Sequence, residues 1–267
     1  MLNSCSADSA CRGYRKIRKQ RKYLQAPWCS LLIAMVGGIT YFGVERDLSY
    51  AISNGTTVRL VPVSGIENPE TRLHNIISQL LGNFIKSTVT DILFACILEL
   101  ATNATKANMK YLFFCERGWD LFDMRSYHER LKEFRMQSRD VAWVSDYARK
   151  AKAVGLWVQI LFTHLLNGIC VEVTNNLPLT PEDERRVREK MRLAQNYSSI
   201  IDFYRDHGDD SEGEGLGFAM SIIMLKQEKI NPELFRIGSD GIHTTARLEI
   251  PFSAQYRSVR DVKTENR

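Results

Sequence analysis

The stretch L-E-L-A-T-N-A-T-K-A, residues 98–107, decides how this chain reads. Glu99 and Asn103 stand four apart, so on a helix they share one face, and Lys106 follows in the next turn. The other face is apolar, built from Ile92, Leu93, Cys96, Ile97 and Leu100. A carboxylate beside an amide oxygen suits a hydrated Mg2+ ion, which takes oxygen ligands and keeps several waters. The same carboxylate could orient or deprotonate a nucleophile. An ordinary solvated helix face explains these residue types as well, so a second element has to decide.

That element is S-E-G-E-G-L-G-F-A-M-S-I-I-M-L, residues 211–225. Gly213, Gly215 and Gly217 precede an apolar run. Each glycine in an ordered segment costs up to about 1 kcal/mol against alanine, so three in five residues imply a return. Backbone N–H groups at a helix N-terminus can hold an anion there; a mobile loop is the plain alternative. No G-K-[S/T] follows, which excludes a P-loop, and the spacing does not fit a dinucleotide fingerprint.

Composition narrows the classes. The 267 residues, 44% of them hydrophobic, suffice for one sizeable core. Arg12, Arg15, Lys16, Arg18, Lys19, Arg21 and Lys22 face only Asp8 within the first 25 residues, so a whole-chain charge of +5 leaves the remainder at a net of −1. The body therefore has no basic stripe, and nucleic acid is not the expected partner. The basic cluster reads as a disordered tail. None of the six cysteines forms C-x-x-C; Cys96, Cys115 and Cys170 sit in apolar runs and read as buried reduced thiols, which favours a reducing compartment. His128, His164 and His207 have no partner at metal-binding spacing. Trp28–Val44 is apolar but short for a membrane span. A cytoplasmic location is expected, with an anchor through residues 28–44 as the alternative.

Helical periodicity predicts helices over 67–84, 89–108, 126–136, 140–153 and 218–227, and a buried strand over 110–116. Residues 156–174 predict a hairpin turning at Asn167-Gly168. Thr180 is placed to cap a charged helix opened by Pro181, with Glu182, Asp183 and Glu184 in its first turn. Strands are expected over 234–237 and 244–252. Without a regular βαβ alternation this is an α+β fold, a mainly antiparallel sheet with helices packed on one face. The expected organisation is a basic tail (1–35), a strand-and-helix extension (36–89), a main domain (90–253) and a C-terminal tail (254–267).

Taken together, four segments resemble the Bergerat-type ATPases, the fold of gyrase, the heat-shock chaperone, sensor histidine kinases and the mismatch-repair ATPase. E-L-A-T-N-A-T-K-A resembles their N-box and S-E-G-E-G-L-G-F their last glycine box. V-E-V-T-N-N-L-P-L-T-P-E-D (171–183) resembles the histidine-kinase form of the first glycine box, and S-D-G-I-H-T-T-A-R-L-E-I-P (239–251) the closing strand. The resemblance implies an ATP-binding domain of the sandwich type, closest to a histidine-kinase catalytic domain. It implies that Asn103 ligates Mg2+, that Glu99 polarises water or the nucleophile, and that Lys106 approaches the phosphates. Asn175 stands where the family has an aspartate accepting from the adenine amino group, with Thr244 supporting that contact. Gly213, Gly215, Leu216 and Gly217 would wrap the phosphates. On this basis Asn175→Asp is expected to bind ATP at least as well.

The sequence departs from the family in the first glycine box, where Leu177 and Leu179 replace glycines, at His243 before Thr244, and in about 40 inserted residues around 117–155. His74 lacks the acid that follows a phosphoaccepting histidine and reads as a surface residue. The expected function is that of a kinase acting in trans on a signalling partner, or an ATP-dependent switch; the alternative is a non-catalytic interaction module that keeps the fold.

Overall fold

A computed structural model describes residues 58–60, 69–82, 87–120, 123, 125–165, 167–207 and 216–261. The basic tail, the apolar stretch 28–44 and the glycines at 213 and 215 lie outside the described residues.

The hairpin forms, but β3 already begins at Gly168, so its turn falls one residue earlier than the expected Asn167-Gly168 pair. Strands β2 (Val158–Leu165) and β3 (Gly168–Asn175) pair antiparallel from Leu165↔Gly168 to Val158↔Asn175. Asn167 turns the chain in the left-handed region, at φ 69°, which asparagine tolerates. Gly168 serves a different need: a Cβ there would overlap the Tyr256 ring and stand 2.9 Å from the Ile250 carbonyl oxygen. Strand β5 (Thr244–Pro251) then pairs with β3, β4 (Phe235–Ser239) with β5, and β1 (Val58–Leu60) with β2. The order is β1-β2-β3-β5-β4, and all four pairings are antiparallel.

Alternation sends one side chain of every two to the same face. On that face Ile160, Phe162, Val171, Val173, Leu248 and Ile250 are buried, and helices cover them. These are α1 (Pro69–Leu81), the first half of α2 (Ser87–Glu116), α5 (Pro181–Ala194), α6 (Ile200–His207) and α7 (Leu216–Gln227). The protein is thus α+β, with its main core between one sheet face and these helices. Leu73, Ile77 and Leu80 of α1 belong to that core.

One expected boundary and one expected strand are corrected. Residues 110–116 are not a strand; they are the last turns of α2, which runs 30 residues without a break. Apolar runs of this length satisfy either period, and here the three-and-four spacing simply continues through Met109, Leu112 and Phe113. The reason for the length is a second core. Helices α3 (Tyr127–Gln137) and α4 (Val141–Ala153) fold the insertion back on the C-terminal half of α2. Phe113 lies edge-on to Trp119, Phe134 and Trp143 at 5.7–5.8 Å, and Trp143 stacks on Tyr147 at 3.9 Å. Such aromatic pairs add about 0.5–1.5 kcal/mol each beyond the area they bury.

Residues 256–259, after β5, are also tied down. Glu249, 1% exposed, accepts hydrogen bonds from Tyr256 Oη (2.6 Å), the Val259 amide (3.1 Å) and Ser258 Oγ (3.2 Å). Among the described residues no helix is long and apolar enough to cross a membrane.

Candidate functional site

Between α2, α5 and the β3–β5 end of the sheet lies a cavity of about 390 Å3. That is within the range of small-molecule sites, roughly 300–1,000 Å3. The faces of two helices make its sides. Leu100, Asn103, Ala104, Ala107 and Lys110 recur at helical spacing along α2, and Asp183, Arg186, Val187, Lys190 and Leu193 do so along α5. Val173, Asn175, Thr244 and Ala246 come from the sheet, and Phe218 from α7.

Four of the residues expected at the site line this one cavity: Asn103, Lys106, Asn175 and Thr244. Glu99 stands behind them, 2.9 Å from Asn103 Nδ2. Leu216 and Gly217 open the first turn of α7, whereas Gly213 and Gly215 lie outside the described residues.

Hydrogen bonding fixes which way the two amides point. An ionised carboxylate only accepts, so Asn103 gives Glu99 its NH2 group and keeps its oxygen for another partner. Asn175 is set by a longer chain of logic. The Trp157 backbone carbonyl can only accept, so Asn108 turns Nδ2 toward it at 3.1 Å. Asn108 therefore presents Oδ1 to Asn175, and Asn175 must answer with Nδ2, at 3.1 Å. Its own carbonyl oxygen is left as an acceptor, at a residue that borders the cavity and is 3% exposed overall. Beside it, in register on β5, Thr244 donates its hydroxyl to the Leu177 carbonyl (2.8 Å) and retains lone pairs.

The same geometry adds a folding cost to Asn175→Asp that the expectation did not include. An aspartate would set a carboxylate oxygen against Asn108 Oδ1. Turning Asn108 over would only move the conflict to the Trp157 carbonyl. Asparagine is the residue this amide chain requires.

Next to the Asn108–Asn175 pair, sequence reasoning missed a buried ionic network. Lys110 Nζ donates to Asp183 Oδ2 (2.7 Å) and to Tyr127 Oη (2.9 Å). Tyr127 Oη donates to Asp183 Oδ1 (2.9 Å), and Thr180 Oγ1 donates to Asp183 Oδ2 (2.8 Å) while capping α5. Burial opposes the Lys110 ammonium, but the Asp183 charge outweighs it and holds its pKa above the ordinary lysine value. Burial likewise raises the Asp183 carboxyl, and the Lys110 charge overrides it to leave the pKa below the usual carboxylate value. Tyr127 comes from the insertion, so the network ties that insertion to the cavity wall. Its signal in the sequence was the run Asn103, Ala107, Lys110, which continues one helix face across the expected break.

The departures from the family pattern also find physical reasons. Leu177 is 6% exposed within the aromatic second core, and Leu179 borders the cavity. A glycine at 177 would leave the insertion without that anchor. His243 and the amides of Ile242 and His243 bond Asp240, whose carboxyl those backbone N–H groups lower to about 2. Far from the cavity residues in sequence, His74 joins α1 to α2 through Asp91 at 2.8 Å. Among the described residues no cluster of three His, Cys, Asp or Glu could hold a metal ion by itself.

No protein-family model matches the chain, and no solved structure matches it at a significant level. It is similar to an uncharacterized protein of Treponema pallidum (strain Nichols), 34% identical over 237 residues, which are 89% of this chain and 44% of that protein. The chain spans less than half the length of this relative.

Proposed function

We propose that this chain is an ATP-binding domain of Bergerat type, which holds Mg2+-ATP in the cavity between α2, α5 and the sheet. The observation that carries the reading is the convergence of Asn103, Lys106, Asn175 and Thr244, separated by up to 141 positions, on one cavity. The Asn175 oxygen, with Thr244 beside it, accepts from the amino group of the base. Asn103 offers its oxygen to the magnesium ion that accompanies the phosphates, and Glu99 holds that amide in place. The bound metal would screen the phosphate charge and polarise the phosphoryl group; the chain's own part is to orient it.

Glu99 is the carboxylate available for polarising water or an incoming nucleophile. With His74 engaged by Asp91, the domain acts on a separate signalling partner as a kinase in trans, or serves as an ATP-dependent switch. Asn103→Ala tests this directly. It should abolish the magnesium-dependent part of ATP affinity and leave the thermal midpoint of the free protein within a few degrees. ATP binding unaffected by either magnesium or this substitution would contradict the assignment.

A further inference from the structure

The cavity has more positive charge than its own carboxylates can match. Asp183 and Glu189 border it, but Asp183 is taken by Lys110 at 2.7 Å and Glu189 by Arg185 at 3.4 Å, from outside the lining. Lys106 and Lys190 also border it, and among the described residues neither has a hydrogen bond or an ion pair. Two lysines without counter-charge, one on each side of the cavity, call for an anionic ligand.

Their position along the cavity matters as well. Lys110 and Asp183 join α2 to α5 at one end, next to the Asn108–Asn175 pair. From that joint the α2 wall runs back to Asn103, about 7.5 Å of helix from Asn108, and the α5 wall runs forward to Lys190, about 10 Å from Asp183, at 1.5 Å per residue. Asn103 and Lys190 therefore both lie away from the Lys110–Asp183 joint.

We infer that Lys190 of α5, across the cavity from Lys106 of α2, binds the β- and γ-phosphates of the nucleotide. This rests on the ATP-binding reading above. Phosphate recognition then comes from a helix face, and affinity should rise steeply with phosphate number and fall with salt.

The test is a titration of the full chain with adenosine, ADP and ATP, for the wild type, Lys190→Glu, Lys190→Ala and Arg188→Glu. Arg188 lies on the same helix, is exposed and pairs with Glu184, so it controls for a non-local charge effect. Lys190→Glu should weaken ATP at least tenfold and Lys190→Ala about threefold to tenfold, with adenosine changed less than twofold in both. Arg188→Glu should leave ATP within twofold. If the wild type binds ATP and Lys190→Glu weakens ATP and adenosine equally, or Arg188→Glu does as much as Lys190→Glu, the role of Lys190 is refuted and the ATP site stands. If the folded wild type binds none of the three ligands, the ATP-binding reading fails and this inference fails with it.

Discussion

Replacing Asn175 by aspartate probes the amide chain that lines one end of the cavity. The family pattern favours aspartate there, whereas the Trp157–Asn108–Asn175 chain rejects it. In the wild type every polar contact in this chain pairs a donor with an acceptor. In the variant, one contact sets two oxygens together at a site 3% exposed. A buried group left unpaired costs about 1–3 kcal/mol, more when charged, so a loss of about 3 kcal/mol is expected at neutral pH. For a chain of this size that lowers the thermal midpoint by about 6–12 °C. A protonated aspartic acid can donate to Asn108, so the folded-state pKa of the new carboxyl is raised. The sign follows: the penalty is absent below the unfolded-state value of about 3.9 and grows as pH rises through the folded-state pKa. Denaturant melts of both proteins from pH 4 to pH 8 read this difference. In an Asn108→Ala background the cost should fall by more than about 1 kcal/mol, since the opposing oxygen is gone. Equal stability of Asn175→Asp and wild type at pH 7.5, or a difference flat with pH, would refute the amide logic.

Three further outcomes follow from the packing. Lys110→Met strands Asp183 and Tyr127 and should destabilise the fold by about 3–5 kcal/mol in urea melts, while Lys110→Met with Asp183→Leu should recover much of the loss. Because the Asp183 pKa is depressed, its contribution is present above about pH 4 and is lost as pH falls through the folded-state value; a wild-type melt insensitive to pH between 5 and 2 would contradict it. Cys96, whose thiol burial pushes up to about 11, should resist a thiol reagent at pH 8 in site-resolved mass spectrometry, with half-buried Cys115 labelled before it. Gly168→Ala drives a methyl into Tyr256 and against the Ile250 carbonyl and should cost about 1–3 kcal/mol by overpacking, a cost that Tyr256→Ala lowers but does not abolish.

Local chemistry was legible in the sequence and long-range chemistry was not. The hairpin, the Thr180 cap with Pro181 behind it, and the amphipathic α1 each depend on neighbours within a few residues, and all three form, the hairpin turn one residue earlier than read. Residues 110–116 misled because Leu112, Phe113 and Phe114 are apolar at every spacing that matters, and only the second core decides that they stay helical. Lys110 was hidden in that run; its partner Asp183 is 73 positions away and has the look of a routine helix-dipole acid. The same holds for Asn108 and Asn175, 67 apart, whose mutual orientation depends on a backbone carbonyl that no motif contains. At Leu177 the missing glycine looked like decay of a site. In the fold it is a side chain recruited to the insertion's core.

The central claim is that the cavity holds a nucleotide with its magnesium ion, and calorimetric titration of Mg2+-ATP into the full-length chain tests it most directly. The account predicts a single site with a dissociation constant between micromolar and millimolar, about −4 to −8 kcal/mol, weakened when magnesium is removed. Absence of both heat and thermal shift at millimolar Mg2+-ATP, with the protein folded by circular dichroism, would contradict it.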